Sequence, residues 1–183
     1  MSRQGAVPSV EVMTTAEASR ELLGDIRRLM DEAFEGDFTD DDWDHTCGGW
    51  HAVVIDGREV ASHAAVVGRT LHLAGRPIRA GYVEGVATSP RQRAMGFGSL
   101  AATEIAAVIR HRFEVGALST GAHRFYERLG WERWQGPTFA RTGSVVTRTE
   151  EDDDTIMALR FDAGATIDLT ASLSCEARSG DDW

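Results

Sequence analysis

A glycine-rich segment in the middle of the chain has the composition of a phosphate-binding loop. Its residues are Gln92, Arg93, Ala94, Met95, Gly96, Phe97 and Gly98. The segment lies between an apolar, strand-like stretch and an amphipathic, helix-like one. Small residues allow backbone N–H groups to approach a diphosphate at a helix N-terminus, where those donors are otherwise unpaired. A lone Gly-x-Gly pair is a weak signal, so an ordinary loop is the alternative interpretation.

Two side chains could exchange protons with a reacting group. Glu84 stands directly before Gly85 in an apolar strand-like stretch. Its carboxylate has an ordinary pKa of about 4.3 and could act as a base through water, or it could simply pair with an arginine. Tyr126 could protonate a departing thiolate. Because it lies beside an apolar helical stripe, periodicity alone favours a core tyrosine instead.

Three acidic segments could bind a cation. They span residues 37–44, 150–154 and 181–183. Each could pair with ammonium groups, although such charge runs are more often solvated surface. The formal net charge of −10 at pH 7 would steer a cationic ligand towards the protein and disfavours nucleic acid and anionic membranes.

The same residue types argue against several other chemistries. The chain contains no lysine, which excludes Schiff-base catalysis and a P-loop lysine. Asp40, Asp42 and Asp44 imitate the start of a calcium loop, but His45 occupies the required glycine position and His51 the required glutamate position. The two cysteines show no Cys-x-x-Cys spacing. We therefore predict no metal site.

The first half of the chain is predicted to position these groups on a hairpin-rich sheet. A strand at 10–13 precedes a helix that a capping box at 14–17 should start and that should run to about Phe34. A short helix is expected in the acidic stretch. Strands at 50–55 and 60–73 are joined across Asp56-Gly57, a strong hairpin signal. A fourth strand, at 78–87, is interrupted by Gly85, which indicates a bulge or a close backbone approach.

The second half alternates helices with strands. We predict helices at 97–111 and 121–129 around a strand at 115–118. After Trp131 we expect extended structure, a long loop through Gly143 and one more strand at 156–161. This order predicts an α/β (α+β) fold with a central mixed, mostly antiparallel β-sheet flanked by helices, and the length favours one domain over residues 1–183.

The glycine-rich loop in this order of elements resembles the cofactor-binding core of the GNAT superfamily of N-acyltransferases. Four further segments, at 36–38, 43–46, 81–87 and 180–183, resemble the aminoglycoside 2′-N-acetyltransferases, and the similarity covers almost the whole chain. The resemblance implies acetyl-coenzyme A (acetyl-CoA) as cosubstrate and direct attack of an aminoglycoside 2′-amine on its thioester, which would give drug resistance.

The resemblance also assigns roles to residues. Cofactor contacts fall on Gly85, Val86, Ala87, the loop from Gln92 to Gly98, and Ser119, for which helix capping is the alternative. Glu84 would be the base, the Val86 N–H would stabilise the oxyanion, and Tyr126 would be the acid. The implied acceptor contacts are Asp37, Asp42, Glu84, Asp152, Asp181 and Trp183, the last through its α-carboxylate.

Two alternative functions stay open on the sequence. One is acylation of another polyamine or amino sugar, with drug acetylation as a side activity. The other is binding of coenzyme A or of a polycation without turnover. The lack of a membrane-length apolar run and of a signal pattern leads us to expect a cytoplasmic protein without membrane or nucleic-acid partners. The family resemblance implies a homodimer.

Overall fold

The computed structural model describes residues 7–183, apart from the side chain of Ala163. They form two compact units that alternate along the chain. The first unit comprises the described residues up to Val67 together with Glu84–Ile105, and the second comprises Gly68–Val83 and Ala106–Trp183. Strands β3 (Glu59–Leu73) and β4 (Arg76–Thr88) each contribute to both units. No helix within residues 7–183 is long and apolar enough to cross a bilayer.

The sheet of the first unit is an antiparallel meander, as predicted. Strand β1 (Ser9–Thr14) pairs with β2 (Trp50–Asp56), which forms a hairpin with β3. Strand β4 is hydrogen-bonded to β3 on its other side. The hairpin turn is formed by Gly57 and Arg58, one residue beyond the predicted Asp56-Gly57 pair, and Gly57 has a φ of 67°.

Helices α1 (Arg20–Ala33) and α2 (Asp40–Thr46) pack in the first unit's apolar core. Ile26 and Met30 of α1 are buried there with Val53 of β2. The predicted start of α1 at a 14–17 capping box is wrong. The Glu17 carboxylate instead accepts the N–H of Thr14 at 2.8 Å in a separate turn, and Ser19 caps the helix. Helix α3 (Phe97–Arg112) begins directly after the glycine-rich loop.

The sheet of the second unit is mixed, which confirms the predicted fold class. Its order is β6-β9-β5-β4-β3-β10-β7-β8, and the pairs β4–β5 and β7–β10 are parallel. The remaining registered pairs are antiparallel. The new strands are β5 (Val115–Ser119), β6 (Glu132–Arg133), β7 (Thr138–Thr142), β8 (Val145–Arg148), β9 (Ile156–Leu159) and β10 (Leu173–Glu176).

Three elements of the second unit differ from prediction. The expected loop through Gly143 is the tight turn of the β7–β8 hairpin. Strand β10 was missed, because four residues rich in small polar side chains carry little periodic signal. Helix α4 (His123–Glu127) is shorter than the predicted 121–129 helix. It ends early because the chain turns at Gly130, whose φ is 87°, and the Trp131 N–H returns to the Tyr126 carbonyl.

Candidate active site

A kink in β4 lies at the centre of the first unit's candidate residues. Gly85 has a φ of 52°, and a Cβ added there would come within 2.8 Å of Thr46 Oγ1. Both the left-handed backbone and the close approach require glycine. The kink lies within the continuous strand β4, with Glu84 and Val86 on either side of it. Glu84 is half-buried.

Two side chains of β3 hold the kinked backbone. Ser62 Oγ donates to the carbonyl of Ala87 at 2.7 Å. His63 Nδ1 lies 2.7 Å from the carbonyl of Gly85. Both side chains are fully buried. The backbone at 85–87 is therefore fixed by interior hydrogen bonds, as a preorganised set of amide donors requires.

The glycine-rich loop follows as an exposed turn with an unusual backbone. Residues 90–92 form one 3-10 turn, and Ala94 and Gly96 have φ values of 64° and 86°. Leu100 N–H returns to the Gly96 carbonyl at 3.0 Å, which starts α3. The N–H groups in the first turn of a helix have no intrahelical acceptor.

The backbone of this loop is accessible at Gly96. A Cβ at Gly96 would meet no heavy atom of the described chain within 4 Å, so the backbone is open to a ligand. The side chains of Arg91 and Arg93 are exposed on the same loop. The Gln92 amide nitrogen instead donates to Asp56 Oδ2 at 2.8 Å, which anchors the loop to the β2–β3 hairpin.

The acidic stretch of the first unit is partly committed to its own structure. The Asp42 carboxylate accepts the N–H of Thr39 at 2.8 Å and completes a capping box for α2. Arg27 pairs with both Asp31 and Asp40. Asp37 stands before this cap and is exposed. The structure thus places the predicted contacts Asp37 and Asp42 on either side of the α2 N-cap.

Tyr126 in α4 is both a core residue and a phenol that keeps its proton. Its side chain is 6% exposed. The ring stands edge-on to Phe125 and Trp131, with centroid distances of 4.9 Å and 5.9 Å. Burial raises the pKa of Tyr126 well above its ordinary value. The group is therefore protonated at neutral pH, as a general acid must be before it acts.

Ser119, at the end of β5, does not cap a helix. Its hydroxyl donates to Thr155 Oγ1 at 2.9 Å, and the N-cap of α4 is Ala122, which has no side-chain acceptor. The alternative of helix capping is wrong. The cofactor contact that the family resemblance implies for Ser119 stays a prediction.

The second unit brings three predicted acceptor contacts together. The indole of Trp183 is buried and donates to Thr149 Oγ1 at 3.1 Å. Thr149 directly precedes the 3-10 turn that carries Asp152. The pKa of Asp152 is raised, first by burial and then by nearby carboxylates, Asp181 and Asp182 among them. Asp152, Asp181 and Trp183 therefore form one anionic patch, which we call the carboxylate cluster.

Asp153 lies in the same acidic run but forms an ion pair within the chain. Its carboxylate is paired with Arg148 and accepts the Thr138 N–H at 3.0 Å. The Arg148 hydrogen bond, above all, holds the pKa of Asp153 well below its usual range. This carboxylate is thus neutralised within the chain. Among the described residues, no group of three His, Cys, Asp or Glu side chains could hold a metal ion.

His51 and His63 belong to no motif that would assign them a function from the sequence. Their rings nevertheless form a buried contact, with Nδ1 of His51 2.8 Å from Nε2 of His63. The hairpin register contains a signal for this contact. His51 faces Ala65 across the β2–β3 pair, so His63 is its diagonal neighbour, within reach of a long side chain.

Comparisons with known proteins agree with this geometry. The acetyltransferase (GNAT) domain family matches residues 13–134. The aminoglycoside 2′-N-acetyltransferase of Mycolicibacterium fortuitum is 38% identical over 185 aligned residues, which cover 99% of this chain and 95% of that protein.

Solved structures with low sequence identity show the same fold. The GNAT family N-acetyltransferase YhbS of Escherichia coli, solved with CoA, has a TM-score of 0.65 at 15% identity, over 92% of this chain and 89% of that one. A Brucella melitensis GNAT family acetyltransferase, solved with acetyl-CoA, has a TM-score of 0.58 at 15% identity, over 84% and 89% of the two chains. The chain spans only 33% to 34% of three longer structures that it also matches.

Proposed function

The chain belongs to the GNAT superfamily and, within it, to the aminoglycoside 2′-N-acetyltransferase family, and we propose that it transfers the acetyl group of acetyl-CoA to the 2′-amine of aminoglycosides, which gives resistance to these drugs. The observation that carries this proposal is the 38% identity to the M. fortuitum enzyme over 99% of the chain. The kinked strand and the open glycine-rich loop support it from the structure, because acyl transfer from a coenzyme A thioester needs both features.

The loop and the kink are the proposed contacts for the cosubstrate. Acetyl-CoA supplies an activated acetyl thioester when it is bound. The residues that would hold it are the 92–98 loop for the diphosphate, Gly85–Ala87 for the thioester, and Ser119. Arg93 adds positive charge on the loop, which favours a diphosphate, whereas Arg91 is paired with Glu32 at 3.4 Å.

Glu84 is the proposed base. An amine must lose its proton before it can attack a carbonyl carbon, and an ionised carboxylate can take that proton through one water. The attack is direct, so the chain forms no covalent bond with the acetyl group. The position of Glu84 beside the kink supports this role.

The Val86 N–H is the proposed oxyanion donor. Negative charge develops on the thioester carbonyl oxygen during attack, and a fixed backbone N–H can stabilise it by about 3 kcal/mol. The hydrogen bonds from Ser62 and His63 to neighbouring carbonyls support a rigid donor at this position.

Tyr126 is the proposed acid. A thiolate leaves when the C–S bond breaks, and a phenol can return a proton to it. The phenol of Tyr126 would carry its proton at working pH even with the ordinary pKa of about 10, which suits a donor to the thiolate. Its packing against Phe125 and Trp131 would hold the hydroxyl in one direction.

The carboxylates are the proposed acceptor contacts. Aminoglycosides are polycations, and Asp152 and Asp181 in the carboxylate cluster could each pair with an ammonium group. Trp183 would complete this patch. Family resemblance adds contacts at Asp37, Asp42 and Glu84.

The proposed cellular setting is the cytoplasm, where acetyl-CoA is made, and the proposed assembly is a homodimer of a single catalytic domain. The net charge of −10 supports a protein without nucleic-acid or anionic-membrane partners. Sedimentation equilibrium would test the assembly, with one species at twice the chain mass expected and a monomer at all concentrations contradicting it.

Thiol release from acetyl-CoA tests the activity. Tobramycin and gentamicin carry a 2′-amine, whereas kanamycin A carries a 2′-hydroxyl at that carbon. We expect rapid thiol release with the first two drugs and little with the third. Release with simple polyamines but not with these drugs would favour the alternative acylation function. Drug binding without thiol release would refute catalysis.

A further inference from the structure

A line of polar groups runs through the apolar interior of the first unit and ends at the kink. Thr15 Oγ1 lies 2.7 Å from His51 Nε2. His51 Nδ1 lies 2.8 Å from His63 Nε2, and His63 Nδ1 lies 2.7 Å from the Gly85 carbonyl oxygen. Both rings are fully buried on β2 and β3, among apolar neighbours. We call this line the histidine relay.

The end of the relay at Gly85 fixes the direction of each hydrogen bond in it. A carbonyl can only accept, so His63 Nδ1 carries the hydrogen. A neutral His63 then accepts at Nε2, and His51 must donate from its own Nδ1. His51 in turn accepts at Nε2 from the Thr15 hydroxyl, which accepts the Gly48 N–H at 2.9 Å. Every donor in the relay then points towards Gly85, because the 2.7 Å contact of the Thr15 hydroxyl with His51 is much shorter than the 3.4 Å contact of the same hydroxyl with the Gly49 carbonyl.

Both rings are neutral at physiological pH. Burial is the main cause that lowers the pKa of His51 to about 4 and that of His63 to about 3. The other groups that hydrogen-bond to the rings are the Thr15 hydroxyl and the Gly85 carbonyl, neither of which titrates in this range. The relay is thus an uncharged chain of hydrogen bonds that polarise one another.

The relay acts on the peptide group that carries the proposed oxyanion donor. The Gly85 carbonyl and the Val86 N–H belong to one planar, trans peptide unit, in which they point in opposite directions. A donor fixed on the carbonyl therefore fixes the direction of the N–H. It also withdraws electron density from the carbonyl oxygen, which makes the N–H a stronger donor.

We propose that His51 and His63 are positioning residues that orient and polarise the Gly85–Val86 peptide group, so that the Val86 N–H is aimed and strengthened for the oxyanion. This rests on the proposed function, since it deepens the role given to Val86. Neither histidine touches the reacting atoms. They act through the backbone, and the Thr15 hydroxyl is the outer hydrogen-bond partner of the first ring.

Two substitutions of His63 distinguish a role in the hydrogen-bonded relay from a role in packing alone. His63→Asn places an amide nitrogen near the former Nδ1 and keeps the bond to Gly85. His63→Gln places its amide near the former Nε2 and keeps the partner of His51, but it leaves the Gly85 carbonyl without its donor. Each variant loses one of two buried hydrogen bonds, so each should lose similar stability.

The relay predicts that kcat separates the two variants. His63→Gln should lower kcat about 10- to 100-fold, less than the loss of a whole oxyanion donor, with KM values for both substrates nearly unchanged. His63→Asn keeps the donor to the Gly85 carbonyl and loses only the polarisation by His51, so its kcat should fall by only about 3-fold. An unchanged kcat in His63→Gln, or equal losses in both variants that follow their melting temperatures, would overturn the proposal.

The tautomers can be tested by NMR spectroscopy, which does not require an active enzyme. Side-chain ¹⁵N spectra should show both His51 and His63 as neutral Nδ1–H tautomers at pH 7. The backbone ¹⁵N resonance of Val86 should move upfield in His63→Gln and stay in place in His63→Asn. An Nε2–H tautomer at either ring refutes the relay even in an active enzyme. Inactivity of the parent on every aminoglycoside refutes the proposed function but leaves these tautomers as an independent test.

Discussion

The two compact units present their candidate functional groups in opposite physical ways. In the first unit, the groups around Gly85 are backbone amides held by buried, neutral hydrogen bonds from Ser62 and His63. In the second unit, the carboxylate cluster relies on charged side chains, and Asp181 lies close enough to Asp152 to help raise the pKa of Asp152. Fixed backbone donors suit a ligand of constant structure, such as an acyl carrier, whereas charged side chains suit polycations whose structures vary.

A donor that belongs to the backbone can be disturbed only by changing the backbone's path or its anchors. A side-chain carboxylate, in contrast, can be removed by one substitution without changing the backbone. We therefore expect changes at the kink to affect turnover most and changes in the carboxylate cluster to affect mainly drug binding.

The largest effect is expected for Gly85→Ala. The new Cβ would collide with Thr46 Oγ1, and an alanine at this position would have to adopt a φ of 52°. The backbone at the kink must therefore shift. We predict that kcat/KM falls about 100-fold or more. Steady-state kinetics measure this, and activity near the parent level would show that the kink is not needed.

Gly143→Ala is the matched control in the second unit. Gly143 has a similar φ of 60°, but a Cβ there meets no described heavy atom within 4 Å. The variant should lose about 1 kcal/mol of unfolding free energy and keep its turnover. A comparable loss of turnover in both variants would mean that general destabilisation explains the Gly85 result.

Tyr126→Phe should have the next largest effect. The ring would keep its packing against Phe125 and Trp131, so only the acid is lost. We expect kcat to fall about 100-fold with nearly unchanged drug affinity. Calorimetric titration of the drug and single-turnover kinetics measure the two quantities, and an unchanged kcat would exclude the acid role.

The carboxylate cluster should show a smaller effect, limited to binding. Asp152→Asn removes one charge from the patch, and we expect KM for tobramycin to rise about 10-fold at low salt while kcat changes little. Asp154→Asn, at an exposed neighbouring position, is the control. The penalty should shrink as salt is added. Equal KM values in both variants would remove Asp152 from the acceptor site.

The smallest effect is a pH dependence of stability from the histidine relay. Both rings have lowered pKa values in the folded chain. Their full contribution to the free energy of unfolding is therefore present above about pH 6.5. It is lost progressively below that pH, because the unfolded chain takes up protons that the folded chain does not. Between pH 6 and 5, the free energy of unfolding should fall in both proteins, but the slope in His63→Asn should be smaller than in the parent by about 1 kcal/mol per pH unit. Denaturant titrations at each pH measure this, and parallel curves would contradict burial of a neutral ring.

The elements with strong local signals could be predicted from the sequence. The β2–β3 hairpin turn, the acidic helix α2 and helix α3 after the glycine-rich loop follow directly from residue types. Gly85 was also predictable, because an isolated glycine in an apolar strand indicates a bulge or a close approach. Local chemistry determines each of these features.

Features that depend on distant contacts could not be predicted in this way. The capping box at 14–17 predicted the start of α1, but Thr14 and Glu17 form a separate turn and Ser19 caps the helix. Strand β10 exists because β3 and β7 both pair with it. The relay depends on ring tautomers that only the Gly85 carbonyl specifies.

The position of the acetyl group in the product tests the central claim most directly. Tobramycin should be incubated with acetyl-CoA and the chain, and the product should be assigned by two-dimensional NMR. We predict one acetamide, on the 2′-nitrogen, in the parent protein and a much slower yield of the same product in Gly85→Ala. An acetyl group on any other nitrogen, or no acetylated product at all, would contradict the account.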